Sequence, residues 1–252
     1  MIKFFGKIRQ KLLSEGKSRK YLKYAIGEII LVVIGILIAL QVNNWNINRL
    51  ERKSETKYLK NIKIDLEKDI INLDYQINQR KKKDSIFSIL IRQINGAPIN
   101  DMDQLASNVF FTLMEDRFTP NNSTYSELAS SGNLNIITND TIKQLLLNLQ
   151  ELYKFNDFGI EHEIYEYREY ISKSLFKYID IGLIRPIYYE KKTAVELNIN
   201  EASFERLFQS AEYKNGLIIA QGIAKDYVPI FEDIKGKSKR IIELIDISLS
   251  TM

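Results

Sequence analysis

The stretch that decides the fold is YAIGEIILVVIGILIALQVNNW, residues 24–45, apolar but for one carboxylate, Glu28. At 1.5 Å per residue a helix of that length rises about 33 Å, close to the roughly 30 Å thickness of bilayer hydrocarbon. Tyr21 and Tyr24 at one end and Trp45 at the other stand where amphipathic rings anchor a span at the headgroup level. The residues that follow, Gln41, Val42 and NNWNIN, lack the small-residue pattern of a leader-peptide cleavage site, so the run is expected to persist as an uncleaved signal anchor.

Charge gives the expected orientation. Residues 1–23 hold eight Lys or Arg against Glu15, a local +7 within a chain whose net charge is +4, which leaves −3 for everything else. A short cationic leader stays on the cytoplasmic side, whereas a long trailing domain crosses largely regardless of its charges. Lys17, Arg19, Lys20 and Lys23 abut the span and are expected to contact lipid heads. Phe5, Ile8 and Leu12 share one helical face of a basic amphipathic segment, residues 1–20, lying along the membrane. Basicity confined to this leader, with no basic stripe interleaved with aromatics further on, argues against nucleic acid as a partner.

Glu28 lies on a narrow stripe with Val32, Gly35, Ala39 and Val42, and Gly35 with Ala39 forms a small-xxx-small pair that allows close helix approach. Three roles stay open for the carboxylate: reaching interfacial water and fixing depth, hydrogen bonding across an oligomer seam, or titrating in an ion- or proton-coupled complex.

Beyond the span, four Pro and eleven Gly in 252 residues leave long uninterrupted helical patterns, and the sequence predicts an all-α protein. Leu59, Ile62, Leu66, Ile70, Leu73 and Ile77 recur at spacings of three and four, which predicts a helical stalk over residues 46–96. The cluster Arg80 to Lys83 reads as a solvated face, and NGAP at 95–98 ends the pattern. A helical bundle is expected over residues 97–252. Asp101 starts its first helix; Thr124 and Glu127 have capping-box spacing; Gly132 ends a short helix and Asp140 caps the next, which runs to about residue 178. Pro186 is expected to end that region, Asn200 to cap a short helix, and Asn215 and Gly216 to precede a final helix kinked at Pro229.

Chemistry is sparse. The chain has no Cys, which excludes disulfides, thiolate metal sites and cysteine nucleophiles. The single histidine, His162 in HEIYE, has Glu166 where a zinc-protease helix would carry its second histidine, so no metal and no cofactor are expected. Ser130, Ser131 and Gly132 lack the surroundings of a nucleophile elbow and read as a helix-ending turn. No catalytic residue is identified, and the sequence predicts a non-enzymatic protein.

Two blocks, FFGKIRQKLLSEGKSRKYLKYAIGEIILVVIGILIALQVNNWN and TYSELASSGNLNIITND, resemble a family of single-pass bacterial membrane proteins of unknown function, frequent in the Bacteroidota. The resemblance covers the N-terminal half and the Ser131 to Leu134 turn and fades after about residue 185. It implies the inner membrane of a Gram-negative cell and a helical domain in the periplasm. The expected role is a scaffold, partner-binding or accessory subunit, in contact with membrane lipids and with its own copies or a membrane-protein partner. The alternative is an ion- or proton-coupled subunit of a transport or energised complex that uses Glu28.

Overall fold

The computed structural model describes residues 18–251, and among these every regular element is helical. The chain divides into two compact units, residues 1–57 and 58–252. The segment at residues 1–17, including Lys17, lies outside the described residues, as do the side chains of Arg19, Lys20, Tyr21 and Tyr24.

Helix α1, Ser18–Ile94, is continuous, with its earlier residues in the first unit and its later ones in the second. In the first unit it carries an 18-residue window of mean hydropathy 2.6, none of it buried, long and apolar enough to cross a membrane. From Tyr58 on, the same helix changes character. Leu59, Ile62, Leu66, Leu73 and Ile77 are buried in a shared core with the later helices. The stretch expected as a stalk over residues 46–96 is thus a structural member of the second unit from residue 58. The reason is in its stripe, which is too continuously apolar to stand in water and is covered by two other helices.

The remaining elements are α2 (Met102–Phe111), α3 (Ser123–Ser130), a 3₁₀ turn (Asn133–Ile136), α4 (Asp140–Glu166), a π-helical segment (Tyr167–Ser172), α5 (Lys173–Tyr178), α6 (Ile181–Glu190), a short 3₁₀ turn (Glu201–Ser203), α7 (Glu205–Phe208) and α8 (Ala211–Ser250). Asp101 caps α2 by accepting from the Gln104 amide at 2.9 Å, as its position predicts. Gly132 supplies the left-handed residue, φ 71°, that ends α3.

Several local expectations are corrected. Asn139, not Asp140, caps α4, its Oδ1 accepting from the amides of Thr141 and Ile142. Thr124 lies inside α3 and its hydroxyl donates to Asp65 Oδ2 at 2.6 Å, so its role is tertiary, not a capping box. Pro186 lies within α6, which begins at Ile181, and leaves the Gly182 carbonyl without its usual helical donor. Asn215 and Gly216 are inside α8, which Ser210 caps through the Tyr213 amide. The glycine is used for close approach, since a Cβ there would lie 2.8 Å from Tyr170 Cβ in the π segment.

Two apolar clusters fill the second unit. One gathers Leu59 to Ile77 of α1 with Ile142 to Tyr153 of α4 and Tyr227 to Ile245 of α8. The other gathers Phe87 and Leu90 of α1 with α2, the π segment, α5, α6 and the start of α8. At the first cluster, Asp69 is fully buried and accepts from the Asn121 amide, Asn121 Nδ2 and the Tyr153 hydroxyl at 2.7–2.9 Å, which pins the irregular 115–122 segment to α1 and α4.

Candidate functional site: a charge layer between the two cores

Helices α1 and α8 pass from one apolar cluster to the other, α4 runs from the first cluster to the π segment of the second, and where they do so each contributes polar side chains. On α1, the buried stripe Leu73, Ile77 continues in phase to Phe87 and Leu90, and the two positions between them are Arg80 and Lys83. Both side chains are buried, at 1% and 5% exposure, whereas Lys81 and Lys82 point outward. The expectation that Arg80 to Lys83 form a solvated face is therefore wrong for two of the four. Helical phase places them inside, and their partners make that tolerable.

Arg80 meets Glu163 of α4 with both arms of its fork, Nη1 to Oε1 in a short contact and Nη2 to Oε2 at 2.7 Å. The guanidinium also lies over the rings of Tyr227, 4.9 Å away, and Phe231, 5.8 Å away, both from α8. A planar cation that stacks and pairs bidentately suits this place, and a lysine would not reproduce it. Gly159, one turn before Glu163, makes room for the Tyr227 hydroxyl, which occupies the space a side chain would need. Next to it, Gln221 of α8 donates to Asp84 Oδ1 at 2.7 Å and to Ser88 Oγ at 3.2 Å.

Lys83 is different. Its ammonium approaches Glu163 Oε1 only to 4.0 Å, and no hydrogen bond is made by it among the described residues. Burial holds its pKa below the ordinary lysine value, against the opposing pull of Glu163 and the further push of Arg80. It opens on a small cleft whose other walls are Glu115, Asp116, Arg117, Glu163, Ile164 and Tyr167. Gln76 and Asn156 hold this segment in place by donating to the carbonyls of Arg117, at 2.8 Å, and Phe118, at 3.3 Å. In the cleft wall the Tyr167 hydroxyl is buried without a hydrogen-bond partner, and burial raises its pKa well above the usual tyrosine value.

Irregular backbone flanks the layer. The π segment at 167–172 accommodates Tyr167, Ile171 and Leu175, whose spacing of four would drift around an α-helix by about 40° per step; a wider turn keeps them on one side. Opposite, Pro229 stands within α8 and leaves the Lys225 carbonyl without its usual helical donor.

The residues singled out from sequence are placed as follows. Glu28, Gly35 and Ala39 are helical and share a face of α1; Glu28 is partly covered, Ala39 is exposed and nothing lies within 4 Å of where a Gly35 side chain would be. Trp45 is exposed, with the Arg49 guanidinium 5.5 Å over its ring, and Lys23 is exposed. His162 is also exposed and faces Glu166 at 3.3 Å, and among the described residues no group of three or more His, Asp or Glu is arranged to hold a metal ion.

A family model described as a family of unknown function (DUF6090) matches residues 28–185, well over half of the chain. The chain belongs to the DUF6090 family. The DUF6090 match begins at Glu28 in the apolar window and takes in Arg80, Lys83, Asp116, Glu163 and Tyr167, but not the α8 rings that cover the arginine. No curated protein and no solved structure matches the chain.

Sequence reasoning missed the charge layer because each charge was read singly. The available signal was phase: a cation standing where the apolar repeat of α1 demands a core residue.

Proposed function

We propose that this DUF6090 chain is a bitopic inner-membrane protein whose helical domain lies outside the cytoplasm and serves as a non-enzymatic scaffold or accessory subunit, in contact with its own copies or with one membrane-protein partner. The observation that carries this reading is the apolar window of α1: mean hydropathy 2.6, with none of it buried among the described residues. Such a face in water would be an aggregation hazard, and a lipid bilayer removes it. The +7 leader before it favours the cytoplasmic side for the N-terminus.

An accessory role is supported by the span itself. The Glu28, Gly35 and Ala39 face has the small-residue spacing that lets helices approach. Photo-crosslinkers placed at Gly35 and Ala39 in native membranes provide the test. A ladder of one defined oligomer, or one recurrent partner, is the expected result; a chain that crosslinks only to lipid at both positions would contradict the proposal.

A further inference from the structure

Helix α4 has a second apolar face. At about 100° per residue, Phe155, Phe158, His162 and Tyr165 fall within about 80° of arc, on the side opposite the buried Ile142, Leu146, Leu149 and Tyr153. Their spacings of three, four and three are those of a seam between helices. Among the described residues this seam stays uncovered: Phe155 is 57% exposed, Phe158 74% and Tyr165 62%, and the His162 side chain is 66% exposed. Exposed aromatics scattered singly are ordinary, but three in phase along about 15 Å of one helix form a patch.

Size and charge narrow what covers it. A fully buried Phe or Tyr removes about 150–250 Å² from water, so at these exposures the three rings offer about 300–500 Å². That falls short of the roughly 800 Å² per partner of a standard interface between folded domains and fits one helix laid along the stripe. The charge beside the rings has one sign. Between Lys154 and Arg168 the chain holds Asp157, Glu161, Glu163 and Glu166 and no Lys or Arg. Arg80 engages Glu163, whereas among the described residues Asp157 and Glu161 have no ion pair and Glu166 meets His162 alone. Lys154, at the edge of the stripe, is taken by Glu151 at 2.9 Å. A second copy of this face would set like carboxylates against each other, and an anionic lipid surface would be repelled by them.

We propose that the 155–165 face of α4 docks a cationic amphipathic helix of a partner protein, its apolar residues seated on the four rings and its Lys or Arg residues on Asp157, Glu161 and Glu166. The inference rests on the accessory role proposed above and names the chemistry of the partner that role requires. Rigid aromatic side chains supply the contact area at little cost in side-chain entropy, and the acidic rim selects and orients the incoming helix.

The test is photo-crosslinking of the full-length protein in native membranes. Phe158 and Tyr165 are replaced one at a time by p-benzoylphenylalanine, with Val195, 85% exposed, as the control position. Each adduct is digested and the crosslinked peptide sequenced by mass spectrometry. Both α4 positions should capture the same segment of one protein, with apolar residues at spacings of three and four and Lys or Arg beside them, and Val195 should not. Asp157→Lys/Glu161→Lys in the same chains should cut the adduct yield by about threefold or more. Both of these side chains are exposed, so the reversal leaves the core intact. Adducts to lipid alone, to a second copy of this chain, to an acidic or non-amphipathic segment, or to nothing would overturn the proposal, as would a yield unchanged by the double reversal. Crosslinks at Gly35 and Ala39 that persist while the α4 positions stay silent would leave the accessory role standing and sink this inference alone.

Discussion

Arg80→Met should be among the most damaging single changes to the second unit of this protein. It removes the guanidinium that engages both oxygens of Glu163, a carboxylate only 14% exposed, and leaves Lys83, at 4.0 Å, as its cationic neighbour among the described residues. Breaking a buried pair from one side is typically worth 3–5 kcal/mol, because an uncompensated charge remains. With Lys83 as partial compensation, the expected loss is about 3 kcal/mol. Glu163→Leu should lose more, about 4–5 kcal/mol, since it strands a guanidinium at 1% exposure between two aromatic rings. The double variant Arg80→Met/Glu163→Leu removes both charges and should return to within about 1 kcal/mol of the wild type, as apolar replacements of buried pairs often do. Against a total stability of about 5–15 kcal/mol these are large fractions. Urea unfolding followed by far-UV circular dichroism would show the single-variant midpoints falling by about 1.5–2.5 M at a slope of about 2 kcal/mol/M. Trp45, the only tryptophan, lies at the end of the apolar window and would not report on this layer. Two single variants each within about 1 kcal/mol of the wild type, with additive effects in the double, would refute the idea that the fork is an interior pair.

Four further outcomes are expected. Gly159→Ala should destabilise by about 1–3 kcal/mol because its methyl meets the Tyr227 hydroxyl, and Tyr227→Phe in the same chain should recover part of that loss in thermal melts. Burial is the largest influence on Asp69 and raises its pKa, so its contribution is full below the ordinary carboxylate range and is lost as pH rises through the raised value. Asp69→Asn, which keeps the acceptor for Asn121, should therefore compare worst with the wild type in acid and gain on it toward neutrality, as urea midpoints across that range would show. Burial lowers the pKa of Lys83, so the folded state gains relative stability as pH rises from that depressed value toward the free-lysine value. Lys83→Met should abolish this alkaline gain, leaving a flatter stability profile over the same window. Glu28→Gln should leave membrane insertion and crosslinking unchanged under the scaffold reading; a variant that assembles normally yet loses a cellular phenotype would favour the coupled-subunit alternative.

The parts of this architecture visible in the sequence are those written as long apolar periods. The window at residues 24–45 is legible from hydropathy alone, and the α1 stripe from Leu59 to Ile77 from its spacing of three and four. Asp101 and Gly132 are legible because a cap oxygen and a positive φ each require particular residue types. Thr124 and Asn215 with Gly216 misled for a tertiary reason: the first is recruited by Asp65, the second by the close passage of α8 beside Tyr170. The charge layer was illegible for a deeper one. Its members, Arg80, Lys83, Asp116 and Glu163, come from three separate parts of the chain, and although phase sets the two cations on the core side of α1, nothing local names the distant carboxylate that receives Arg80.

The central claim is that α1 carries this chain through a lipid bilayer and leaves the helical domain outside the cytoplasm. Because the protein has no cysteine of its own, Val195→Cys, at a position 85% exposed in that domain, gives a single reporter thiol. Cells with a permeabilised outer membrane and an intact inner one, treated with a membrane-impermeant maleimide, should label it fully before lysis. Labelling that appears only after the inner membrane is broken would contradict the account.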